Sequence, residues 1–134
     1  MARSPAHDMF DRDLASQGLG IELVDAGDGQ ATARMRVTAA MVNGHGTMHG
    51  GFIFLLADTA FACACNSQGP VTVAAAADIV FVRPAQAGDL LEAFAQERVT
   101  SGRSGVYDVT VRRDGDVVAE FRGRSRVISP GRPA

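Results

Sequence analysis

The stretch His49-Gly50-Gly51-Phe52-Ile53-Phe54-Leu55-Leu56-Ala57-Asp58-Thr59-Ala60-Phe61-Ala62-Cys63-Ala64-Cys65-Asn66 decides how the rest of the chain is read. From Phe52 to Cys65 it is apolar on nearly every side of a helical wheel. That is the pattern of a helix buried in a core, not of one lying on a surface. Two glycines open it, and Asn66 to Pro70 ends it. Asp58 is its only charged residue.

The flanking sequence changes period. Upstream, Ile21 to Val24 reads as a strand running into the turn Asp25-Ala26-Gly27-Asp28-Gly29. Ala31, Ala33, Met35 and Val37 then alternate with Thr32, Arg34, Arg36 and Thr38, which is a strand with one buried face. The two make a hairpin. Downstream, Val71 to Val82 is a Val- and Ala-rich run closed by Arg83-Pro84, and Leu90 to Thr100 is a further strand. Tyr107, Val109 and Val111 alternate with polar residues, Asp114-Gly115 is a tight-hairpin signal, and Val117 to Val127 returns with Glu120, Arg122, Arg124 and Arg126 on one face. Residues 7–17 carry a few apolar sites and read as one short helix ended by Gly18 and Gly20. The order is two strands, a central helix, then four strands. It predicts an α+β domain in which an antiparallel sheet wraps one long helix.

The length of 134 residues corresponds to one domain, spanning 1–134, with frayed ends at about 1–6 and 129–134. Thirteen basic residues against 15 acidic ones give a net charge of −2, which argues against a nucleic-acid binder held by bulk charge. All the basic residues are Arg, so lysine Schiff-base chemistry and lysine phosphate loops are excluded. Cys63 and Cys65 are too few for a disulfide framework and read as small core residues. No signal-peptide pattern or membrane-length apolar run is present, which predicts a soluble, cytoplasmic domain.

Asp58 stands out because a carboxylate in an apolar helix is costly unless it is paired or put to work. The loop Asn43-Gly44-His45-Gly46-Thr47-Met48-His49-Gly50-Gly51 feeds the helix N-terminus, where free N–H groups attract negative charge and can form an oxyanion hole. His45 and His49 have the spacing of helical metal ligands, but Gly44 and Gly46 disfavour a helix there, so no metal site is expected. Asp78 is a weaker candidate carboxylate, on a face that alternation can expose. Gly50 and Asp58 are eight residues apart on one helix, or about 12 Å along its axis. A helix-terminal amide and Asp58 therefore cannot touch one carbonyl within one chain; a two-fold pairing of antiparallel helices would bring them together.

The run Val42-Asn43-Gly44-His45-Gly46-Thr47-Met48-His49-Gly50-Gly51, followed by Leu56-Ala57-Asp58-Thr59-Ala60-Phe61-Ala62, Asn66-Ser67 and Asp78-Ile79-Val80-Phe81-Val82-Arg83-Pro84, resembles the hotdog-fold acyl-CoA thioesterases of the PaaI type, linked to phenylacetate degradation. The resemblance implies hydrolysis of acyl-CoA thioesters, with aromatic acyl groups favoured. It implies Asp58 as nucleophile or general base, Gly50 as backbone donor to the thioester oxygen, and Asn43 and His49 as residues holding thioester and water. Substrate and CoA contacts are implied at Gly51, Phe81, Arg83 and the turn Ser101-Gly102-Arg103-Ser104. No cofactor is implied, coenzyme A being part of the substrate. The site is expected to be shared between two subunits, with dimers pairing into a homotetramer. Where some relatives carry a Ser or Thr after the helix, Ala74 to Ala77 has no hydroxyl; Thr59 and Thr72 are the nearest. Two other readings remain open: a hotdog enoyl-CoA hydratase or dehydratase, and a non-catalytic acyl-CoA binding module.

Overall fold

The computed structural model describes residues 3–129. Its elements are α1 (Pro5–Asp11), α2 (Leu14–Gly18), β1 (Glu22–Gly27), β2 (Gln30–Arg36), a 3-10 turn (Ala39–Met41), α3 (Gly50–Cys65), β3 (Thr72–Phe81), β4 (Leu90–Ser101), β5 (Ser104–Arg113) and β6 (Asp116–Val127). The strands form one antiparallel sheet in the order β1-β2-β4-β5-β6-β3. The chain leaves β2, beside the β1 edge, crosses as α3, and returns at the far edge as β3. This is the α+β layout expected from the sequence.

Alternation places the core. Ala31, Ala33 and Met35 of β2, Leu91, Ala93 and Ala95 of β4, Val109 and Val111 of β5, and Phe121 of β6 are all buried, and α3 packs against every strand. Small side chains let the helix approach closely. The tightest case is Gly123, where an added Cβ would stand 2.7 Å from the Phe61 ring. Phe61 is fully buried and belongs to the core. On the outer face, Glu120, Arg122, Arg124 and Arg126 are exposed as predicted, and Asp78 pairs in register with Arg122.

Two expectations are corrected. The single helix over residues 7–17 is two helices, because Asp13 accepts from the Ser16 N–H at 3.0 Å and so caps a new start. Pro5 and Ala6, expected to fray, belong to α1: Ser4 caps the helix, and His7 bonds back to the Ser4 N–H at 2.8 Å. Residues 1–2 and 130–134 lie outside the described residues.

The end of α3 is locked to the strand that follows. Asn66 Nδ2 donates to the carbonyls of Ala62 and Thr72, both at 2.9 Å, and its Oδ1 accepts from the Thr72 N–H at 3.0 Å. Ser67 Oγ donates to the Ala64 carbonyl and accepts from the Gly29 N–H, tying the β1–β2 turn to the same point. That turn has positive φ at Asp28 and Gly29, the geometry of a tight two-residue hairpin. Asn66→Ala would leave the buried Thr72 amide without its partner. We expect a loss of about 2 kcal/mol, read from denaturant unfolding.

Candidate active site

Most backbone donors of the loop before α3 have partners, some within the loop and some on its neighbours. Val42 and Met48 form an antiparallel bridge, and the Asn43 N–H donates to the Thr47 carbonyl at 2.8 Å. Asn43 Oδ1 accepts from the N–H groups of His45 (2.9 Å) and Thr47 (3.2 Å), so its acceptor organises the loop and only its Nδ2 remains as a donor. The Met48 N–H donates to Ala85 and the His49 N–H to Met41, which anchors the loop to both of its neighbours.

His49 is the N-cap of α3, its Nδ1 accepting from the Gly51 N–H at 2.9 Å. The ring proton is then on Nε2, which stays available as a donor. Gly50, between them, has a backbone N–H with no acceptor among the described residues. It sits at the positive end of a 16-residue helix. Gly50 lies close under the exposed Phe81 ring: a Cβ there would stand 2.9 Å from Phe81 Cζ and would push the ring aside. A groove of about 450 Å³ runs past this point, lined by Asn43, Thr47, Met48, Gly50, Ile53 and the segment Phe81 to Pro84. Arg83 is exposed and donates to the Val117 carbonyl at 2.8 Å.

The other expected residues lie elsewhere in the chain. Asp58 does not line this groove; it is half-buried two turns along α3, with no hydrogen-bond or ion-pair partner among the described residues. Its pKa is raised, chiefly because burial disfavours the charged form and secondarily because Asp13 is a like charge. The turn Ser101-Gly102-Arg103-Ser104 joins β4 to β5, with Gly102 at φ 60°, and its last three residues line a hollow of about 290 Å³ beside Cys65, Gln68 and Pro70. That is the C-terminal end of α3, roughly 24 Å from Gly50 by helical rise. Neither candidate hydroxyl is used as a substitute near Asp58: Thr59 bonds Ser16 and Thr72 bonds the Pro70 carbonyl. Burial pushes the Cys63 and Cys65 thiols up to about 12, which makes them poor nucleophiles. Asn66 and Ser67, part of the motif on which the resemblance rested, serve as structural clamps. Among the described residues, no group of three or more His, Cys, Asp or Glu side chains is placed to hold a metal.

The profile of the thioesterase superfamily matches residues 45–120. The acyl-coenzyme A thioesterase PaaI of Escherichia coli (strain K12) is 49% identical over 124 residues, covering 92% of this chain and 89% of the relative. The structure of the E. coli PaaI protein from the phenylacetic acid degradation operon superposes with a TM-score of 0.92 at 47% identity, covering 95% of this chain and 93% of that one. A variant of the phenylacetic acid degradation protein PaaI from Thermus thermophilus gives a TM-score of 0.82 at 38% identity, covering 85% of this chain and 98% of that one. With the profile running from the glycine loop into β6 and a close thioesterase relative aligned along nearly the whole sequence, the chain belongs to the thioesterase superfamily and carries the hotdog fold of the PaaI-type enzymes.

Proposed function

We propose that this chain hydrolyses acyl-CoA thioesters to free acid and coenzyme A, with aromatic acyl groups such as phenylacetyl and hydroxyphenylacetyl preferred. The observation that carries this reading is the unpaired Gly50 N–H at the head of α3, with a partnerless carboxylate two turns further on the same helix. The N–H, backed by the helix dipole, donates to the thioester oxygen as negative charge develops on it. Asp58 of a second chain then takes a proton from the attacking water as the CoA thiolate leaves, or attacks the carbonyl carbon itself, expelling CoA thiolate to form a mixed anhydride that water hydrolyses to the free acid and regenerated Asp58. Asn43 Nδ2 and His49 Nε2–H are the donors left to hold the thioester and the water. The name of the E. coli relative supports the acyl-CoA substrate, and the operon of its solved structure supports the aromatic acyl group.

Three features support a working unit of two chains. Gly50 and Asp58 are too far apart to meet within one. β3 is an edge strand whose residues are nearly all exposed, with Val80 at 60% and Phe81 at 52%, and such an edge invites pairing with a second copy. Antiparallel pairing would also set the Arg103 turn of one chain near the Gly50 groove of the other, so that Arg83 and Arg103 serve the phosphates of one CoA. Association of two such dimers into a tetramer completes the proposed assembly. The chemistry needs no cofactor. A cytoplasmic location is in keeping with the absence, among the described residues, of any helix long and apolar enough to cross a membrane. An enoyl-CoA hydratase would need a His–acid pair for proton transfer at carbon, and within one chain His49 and Asp58 do not form one; hydration of an enoyl-CoA without thiol release would favour that reading.

Release of free thiol is expected from phenylacetyl-CoA and hydroxylated phenylacetyl-CoA at higher kcat/KM than from benzoyl-CoA or straight-chain acyl-CoAs. A straight-chain preference would overturn the substrate class. Asp58→Asn should lower kcat by about 10³-fold with the fold intact; full activity would overturn the mechanism. Stability should respond in the opposite sense. The folded chain holds the Asp58 proton more tightly than the unfolded chain, so this contribution is present below the unfolded pKa and lost as pH rises through the folded one. Asp58→Asn, which cannot ionise, should therefore unfold at a higher temperature than the parent at neutral pH and at a similar temperature in acid.

A further inference from the structure

Asp13 uses both oxygens on one residue. Oδ1 caps α2 through the Ser16 N–H, and Oδ2 accepts from Ser16 Oγ at 2.6 Å. Ser16 Oγ also lies 2.8 Å from Thr59 Oγ1, with Ser16 2% exposed and Thr59 6% exposed. A hydroxyl has one proton, and the short bond to a carboxylate claims that of Ser16, so Thr59 is the donor in the second bond. The result is a directed chain, Thr59 to Ser16 to Asp13, that crosses from α3 to α2 at the residue next to Asp58.

We propose that Asp13 is a positioning residue for Asp58: the buried Ser16–Thr59 bond pins α2 onto α3 and holds the Asp13 carboxylate two hydrogen bonds from Thr59, the neighbour of Asp58 in the chain. The N-terminal segment thereby becomes part of the active site. This rests on the reading of Asp58 as the group that attacks or activates water. A second negative charge beside a half-buried carboxylate disfavours ionisation, and a more basic carboxylate is a better nucleophile or base once ionised. Among the described residues, no Arg or His side chain forms an ion pair with Asp13 or Asp58. Cys65 on the same helix is a neutral thiol, and His7 on α1 turns its Nδ1 back to Ser4. Asp8 and Asp11 of α1 are paired with Arg3, and on the sheet Tyr107 of β5 donates to Glu97 of β4.

The test is the carbon-13 titration of the Asp58 carboxyl, alongside the pH profile of kcat/KM for phenylacetyl-CoA, in the full chain and in Asp13→Asn, Ser16→Ala and Ser4→Ala. Asn keeps the helix cap while removing the charge. We expect the Asp58 midpoint and the acid limb of kcat/KM to move together to lower pH in Asp13→Asn, and in the same direction in Ser16→Ala. Ser4→Ala, which loosens α1 without touching the chain of hydroxyls, should leave both in place. An unmoved Asp58 midpoint in folded Asp13→Asn overturns the proposal, as does a midpoint that moves while the rate profile stays. Retained turnover in Asp58→Asn would instead defeat the reading of Asp58, and the carboxyl titration would still decide whether Asp13 acts on it.

Discussion

Burial of α3 is the constraint on which the rest of the structure depends. A helix apolar on almost every side has no solvent face to offer, so the sheet must wrap it, and the facing strands must carry small side chains where the helix comes close. Ala31, Ala33, Ala93 and Ala95 meet that demand, and Gly123 meets it where the Phe61 ring arrives. The same burial makes the one charge on the helix expensive. Asp58 is held in a setting that disfavours its charged form, with a second carboxylate nearby to add to the cost. A protein selected for stability alone would have no reason to keep it, which is the usual relation between stability and a working site.

Wrapping also fixes where the helix begins. The loop from Asn43 to His49 is bridged to itself and bonded to Met41 and Ala85, so the head of α3 is presented at a fixed place on the surface. Buried or constrained backbone groups find partners as a rule. The amides on either side of Gly50, those of His49 and Gly51, are committed, so the Gly50 N–H without an acceptor between them is informative. His49 sharpens this by capping the next amide, at Gly51, and leaving that of Gly50 open.

Much of this was legible in the sequence because its signals are local. The alternation in residues 31–38 and 107–112, the Asp-Gly turns and the all-round apolar helix each follow from side-chain period, and together they set the order of elements. Strand order was not legible, since nothing local in Val71 to Val82 says that this strand lies at the edge beside β6. A continuous Val and Ala run carries no alternation to say which face is buried, and in one chain β3 is largely exposed. The split of the N-terminal helix is written locally, in the Asp13 cap on the Ser16 N–H, whereas the tertiary bond from Ser16 to Thr59, 43 positions further along, was not legible. Within the candidate site, the eight-residue spacing of Gly50 and Asp58 was readable, and it places the two groups too far apart to meet at one carbonyl within one chain. That the turn from Ser101 to Ser104 lies at the opposite end of α3 from Gly50 was not, because it depends on how β4 and β5 run along the helix.

If neither chain holds a complete site, mixing two defective chains tests that division most directly. Gly50→Ala places a Cβ against the Phe81 ring at the thioester seat, and Asp58→Asn removes the carboxylate. Each variant alone should be inactive. After the two are unfolded together and refolded, thiol release from acyl-CoA should return in part, because each mixed pair holds one site with both native groups. A mixture that assembles into mixed pairs and remains as inactive as its components would contradict a shared site.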